Sequence, residues 1–140
     1  MSLHRNKLPQ LSGDMFLSDA GIETFLIFKE GANLPFNAAY VLLKDDAGTA
    51  QLTRYYDHYL PIAREHGTGF VLESATWRAS PDWAAKIGTS PDELARLNRK
   101  AIEMLLPIRE RYAKDVKPIV ISGAIGPRSD AYRPTEIMSE

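Results

Sequence analysis

The chain has 140 residues, 44% of them hydrophobic, with seventeen basic and eighteen acidic side chains and no cysteine. That length and apolar content suit one domain with its own core. The near-neutral charge, without any long Lys or Arg run, argues against nucleic acid or an anionic membrane as partner, and the lack of cysteine excludes disulfides and thiolate metal sites within these residues.

At the N-terminus, MSLHRNKLPQ lacks the apolar core of a secretory signal, and no apolar stretch approaches the length of a membrane span, about 18 residues. A cytoplasmic protein is therefore expected, with residues 1–13 as a tail and 14–140 as the folded part. The first predicted strand is MFLS, Met15 to Ser18. A long amphipathic helix follows over Thr49 to His66, where Leu52, Tyr55, Tyr56, Tyr59, Ile62 and Ala63 recur every three or four residues and Gly67 marks the stop. Pro61 is expected to kink or end it. Its tyrosines are expected to pack in the helix face or at a contact between subunits, so a homo-oligomer stays open.

The second predicted strand is GFVLES, Gly69 to Ser74. Ser80-Pro81-Asp82 then offers a cap, a proline at the first helical position and an acid in the first turn, with Gly88 closing a short helix. Ser90-Pro91-Asp92-Glu93 repeats the device as a capping box. The helix that follows carries a stripe of Leu94, Leu97, Ala101, Met104, Leu105 and Ile108, with a kink expected at Pro107. The third strand is KPIVISG, Lys117 to Gly123, and PTEIMSE has the look of a helix start.

Short, near-continuous apolar strands alternating with helices predict βαβ units and a parallel sheet. No G-x-G-x-x-G or P-loop follows the first strand, which turns the reading from an open dinucleotide-binding sheet toward a (β/α)8 TIM barrel. Such a barrel takes about 250 residues, so only its first three or so βα units would be present.

Ligands of parallel α/β folds bind beyond the C-terminal strand ends. Asp19, Gly21 and Thr24 stand there after the first strand, Glu73, Thr76 and Trp77 after the second, Gly123 and Gly126 after the third. Each has an ordinary alternative. Asp19 can cap the segment GIETFLIF, Glu73 can be a surface carboxylate, Trp77 can be core, and the glycines can serve turns alone. His4, His58 and His66 form no HExxH or HxH pattern, no lysine ends a strand, and no G-x-S-x-G elbow is present, which disfavours a histidine metal site, a Schiff base and a serine nucleophile.

Three stretches, in order, resemble the homocysteine S-methyltransferase family: SDAGIETFL its first-strand D-G-G/A-x-G-T stretch, ESATWRASPDWAAKIG its T-N-T-Y-x-A-S segment, and SGAIGP its G-S-I-G-P segment. The resemblance implies a TIM barrel that transfers a methyl group from a donor to the sulfur of homocysteine or a related thiol. It also implies a Zn²⁺ that holds the thiolate through cysteines located outside these residues, leaving the 140 residues alone inactive. By position Asp19 corresponds to the family aspartate at the amino-acid end of the substrate, Gly21 and Thr24 to its turn residues, and Gly123, Gly126 and Pro127 to its third loop. Trp77 replaces an aromatic Tyr as a wall near the methyl donor. Ala20, Glu23 and Ala75 depart from the family pattern, which keeps two rivals in view: a metal-free lyase or hydrolase using Asp19 or Glu73, and a non-catalytic barrel fragment.

Overall fold

The computed structural model describes residues 4 and 6–132. Three strands, β1 (Phe16–Ser18), β2 (Gly69–Glu73) and β3 (Ile119–Ser122), form one parallel sheet in the order β1-β2-β3. All three coincide with the apolar runs read from the sequence. Phe16 pairs with Gly69 and Ser18 with Val71, while Phe70 pairs with Ile119 and Glu73 with Ser122. Parallel register brings the polar C-terminal ends of the strands to one edge.

Among the described residues five α-helices lie between the strands: α1 (Ile22–Phe28), α2 (Asp46–Glu65), α3 (Pro81–Ile87), α4 (Pro91–Glu103) and α5 (Leu105–Tyr112). The long α2 begins earlier than its apolar period announces, because the Asp45 carboxylate caps it by accepting from the Gly48 amide at 2.7 Å. It runs through Pro61 to Glu65 rather than ending there. Proline in that last turn forfeits one backbone donor and leaves the remaining carbonyls their partners.

The kink expected at Pro107 is realised upstream, where α4 gives way to α5 at Met104. A proline ring collides with the carbonyl four residues before it, here that of Glu103, so the break falls ahead of the proline itself. Ser90 caps α4 by accepting from the Glu93 amide at 3.2 Å. Ser80 takes the cap position of α3 by its backbone angles, but its hydroxyl makes no cap bond and is buried without a partner. The helix start expected in PTEIMSE lies outside the described residues.

The core is the layer where α2 meets the sheet. Leu52, Tyr55, Tyr56, Leu60 and Ala63 of α2 are fully buried with Phe70 and Leu72 of β2, and Leu97, Ala101, Leu105 and Ile108 extend the cluster through α4 and α5. Burying each large apolar side chain contributes roughly 1.5–3 kcal/mol, so this layer dominates the stability. Alternate strand residues point the other way, and there Val71 is half-buried and Glu73 exposed.

The barrel expectation is overturned. The described residues form a small α/β domain whose three-stranded sheet does not close, with β1 and β3 each bonded on one side only. Hydrophobic period reports each βα unit locally, whereas closure depends on the number of strands and their stagger. Among the described residues, no helix is long and apolar enough to cross a membrane.

Candidate ligand-binding site at the strand ends

The chain leaves β1 at Ser18 and turns sharply through Asp19 and Ala20 into α1. Gly21 makes the turn with φ of 107°, a left-handed conformation that a side chain would strain, and it is the cap residue of α1. No side chain caps this helix, so the capping alternative for Asp19 is not realised. The same turn carries Glu23 in the first helical turn back toward the strand ends. Asp19, Gly21, Ile22 and Glu23 face Glu73, Ser74 and Trp77, which follow β2, across a cleft of about 130 Å³.

Two tyrosines set the position of the carboxylate-bearing ends. The Tyr55 hydroxyl donates to Asp19 Oδ2 at 2.8 Å, and the Tyr56 hydroxyl donates to the backbone carbonyl of Glu73 at 2.6 Å. Both rings are fully buried against the sheet, and Phe25 packs edge-on against Tyr55 at 5.3 Å between centroids. Burial, with the neighbouring Asp19 charge, pushes both phenols well above their ordinary acidity range, so both stay neutral donors.

The carboxylates are crowded. Burial raises the Asp19 carboxyl above its ordinary range, opposed by the Tyr55 hydrogen bond. Glu23 is raised first by burial and further by the charges of Asp19 and Glu73, with Arg78 acting in the opposite sense. Its Oε1 is buried without a hydrogen-bond partner. Partial desolvation and the Asp19 charge raise Glu73 as well, although its side chain remains exposed. Three acids that disfavour one another's ionisation form a site that gains when a cation enters.

Of the sequence-predicted site residues, Asp19, Gly21, Glu73 and Trp77 line this cleft. Thr24 is exposed on α1, and Gly123 is exposed at the end of β3 with open space about it. Thr76 is buried and structural. Its hydroxyl donates to the Ala124 carbonyl at 2.8 Å, which leaves Ser74 Oγ to donate to Thr76 at 2.7 Å while accepting from the Ala124 amide at 3.1 Å. This circuit ties the exits of β2 and β3 together. Gly126 is structural too, because a methyl group there would collide with the Trp77 backbone and ring.

The sequence reading passed over Glu23 and Tyr55 as site residues. Glu23 stands four after Asp19, where the sequence places it past the first strand end without marking it as a ligand contact. Tyr55 is 36 positions from its carboxylate, and only the fold joins them.

No protein-family model, curated protein or solved structure matches the chain. The donor set does not fit the zinc implied by the resemblance. The chain has no cysteine, and among the described residues no three Asp, Glu or His side chains are placed to hold a metal ion. Asp19, Glu23 and Glu73 line one cleft, so their carboxylates are available there to accept hydrogen bonds.

Proposed function

We propose that this chain is the acceptor-binding part of a cytoplasmic thiol S-methyltransferase whose acceptor is homocysteine or a related amino-acid thiol. The observation that carries the reading is the convergence of Asp19, Glu23 and Glu73 on one cleft beside Trp77. In this reading the substrate ammonium enters among the carboxylates, where it neutralises their repulsion and satisfies the orphaned Glu23 Oε1. Tyr55 orients Asp19, and Trp77 walls the cleft. The three ordered stretches around SDAGIETFL, ESATWRAS and SGAIGP support methyl transfer to sulfur as the reaction. Zinc and the residues that hold it belong, in this reading, outside these 140 residues, and the chain alone binds without turning over.

Calorimetric titration tests it. L-Homocysteine is expected to bind, and 4-mercaptobutanoate, which lacks the ammonium, to bind at least about tenfold more weakly, since a hydrogen-bonded charge contributes roughly 1.5–3 kcal/mol. Equal affinity for the two, or none for either, overturns the reading.

A second reading rests on the raised carboxyls. A carboxyl raised by burial in a cleft is better suited to deliver a proton to a leaving group, which is metal-free lyase or hydrolase chemistry with Glu23, Asp19 or Glu73 as the acid. Turnover of amine-bearing esters or β-substituted amino acids, lost in Glu23→Gln and accompanied by no thiol methylation, would favour it.

A further inference from the structure

The aromatic wall of the cleft is backed by a buried cation. Arg78 is only 3% exposed, yet its polar contacts are sparse. Nη1 donates to the Ser129 carbonyl at 3.4 Å, Nη2 lies 3.8 Å from the Asp130 carboxylate, and the buried Nε has no hydrogen-bond partner. A charge so placed needs compensation from elsewhere. It comes from rings, for the guanidinium carbon lies 4.2 Å from the Trp77 centroid and 3.8 Å from that of Trp83. A flat, weakly hydrated guanidinium gains over each indole, whereas a lysine ammonium has no face to lay on a ring.

Both indoles are tied in turn. Trp83 is 4% exposed and donates from Nε1 to the Pro127 carbonyl at 3.2 Å. Trp77 packs edge-on against Tyr132 at 6.2 Å, with Gly126 pressed against its backbone. Trp77 also lines the carboxylate cleft, and the Arg78 charge acts on Glu23 within it. Force and charge thus pass from a residue outside the cleft to two residues that line it.

We propose that Arg78 is a positioning residue for the carboxylate cleft: lying over two indoles, it fixes the Trp77 wall and sets a positive charge near the carboxylates. This rests on the ammonium-binding reading above and adds a residue that does not itself line the cleft. It carries a consequence for specificity. A guanidinium on one face of Trp77 weakens the attraction of that ring for a second cation. The ligand nitrogen is thereby directed to the carboxylates, which favours a primary ammonium that donates hydrogen bonds over a quaternary one that cannot.

The test compares Arg78→Lys and Arg78→Ala with the wild-type chain, reading the tryptophan near-ultraviolet circular dichroism and the affinity for L-homocysteine. Both variants are expected to change the tryptophan spectrum and to weaken homocysteine about tenfold. Methylguanidinium added to Arg78→Ala restores spectrum and affinity, while methylurea, of the same shape and uncharged, restores neither. If Arg78→Ala does not fold, Arg78→Lys decides alone, because it keeps the charge and loses the plane. A wild-type spectrum and affinity in Arg78→Lys overturn the proposal, as does equal rescue by methylurea. Should the wild-type chain not bind homocysteine, the ammonium-binding reading fails by itself, and the spectrum with its rescue still decides the role of Arg78.

Discussion

Two clefts of the domain differ in size and in chemistry, and the smaller is the better candidate. Between α3 and α4 lies a cleft of about 450 Å³ lined by Ala79, Pro81, Ala84, Ala85, Thr89, Pro91, Leu94, Ala95 and Asn98. Its polar groups are already used: the Thr89 hydroxyl accepts from Tyr40 at 3.2 Å and the Asn98 amide donates to the Ala79 carbonyl at 3.2 Å. The cleft at the strand ends holds only about 130 Å³, but it gathers three carboxylates, one with a buried oxygen that nothing satisfies. Volume measures how helices of small residues pack. Unmet electrostatic demand marks where a ligand changes the free energy.

That contrast can be broken most directly by removing the charge. The triple variant Asp19→Asn, Glu23→Gln, Glu73→Gln should lose about a hundredfold in homocysteine affinity by calorimetry, while Ala95→Trp, which fills the apolar cleft, should leave the affinity unchanged. The reverse pattern would move the site to the helices. Next in size is Gly126→Ala, which should cost about 1–3 kcal/mol in urea denaturation through the clash with Trp77 and should also perturb homocysteine binding, since the wall moves.

Ser90→Ala probes the other side. Losing the cap of α4 should cost about 1 kcal/mol in the same denaturation and leave homocysteine affinity as it was, because only a wall of the apolar cleft is loosened.

The smallest effect has an informative sign. Burial and neighbouring charge raise Glu23 in the folded chain above its ordinary value of 4.5, so the native state holds this proton more tightly than the unfolded one. Stability on that account is present below the unfolded value and lost as pH rises through the folded one. Glu23→Gln should therefore unfold at higher urea than wild type at pH 7, with the advantage fading as pH falls below the ordinary glutamate range. A variant that gains stability while losing ligand is what a functional carboxylate predicts.

Much of this was readable before the fold was known. Apolar runs placed β1, β2 and β3, and helical spacing with its caps placed α2, α3 and α4, because such signals are local. That Asp19, Glu73 and Trp77 stand on one rim was legible from strand direction alone, since parallel strands expose their C-terminal ends together. What stayed hidden depended on distant pairs. Tyr55 and Asp19 are 36 residues apart, and Thr76 and Ala124 are 48 apart. The sequence places Arg78 just past the second strand, but its burial against Trp77 and Trp83 depends on the fold. The TIM barrel was misjudged for a related reason: each βα unit is written locally, while the number of strands that join is not.

The hydroxyls of Tyr55 and Tyr56 have a last consequence. They are consecutive on one rigid helix, and they hold the ends of two different strands. Neighbouring helical residues keep a fixed axial offset of about 1.5 Å, so α2 works as a caliper whose two jaws grip Asp19 and the Glu73 backbone. The loops that join these elements can lengthen, shorten or change composition without altering the gauge. The spacing between the two strand ends that border the cleft is thus machined into a helix, and the loops are left free to diverge.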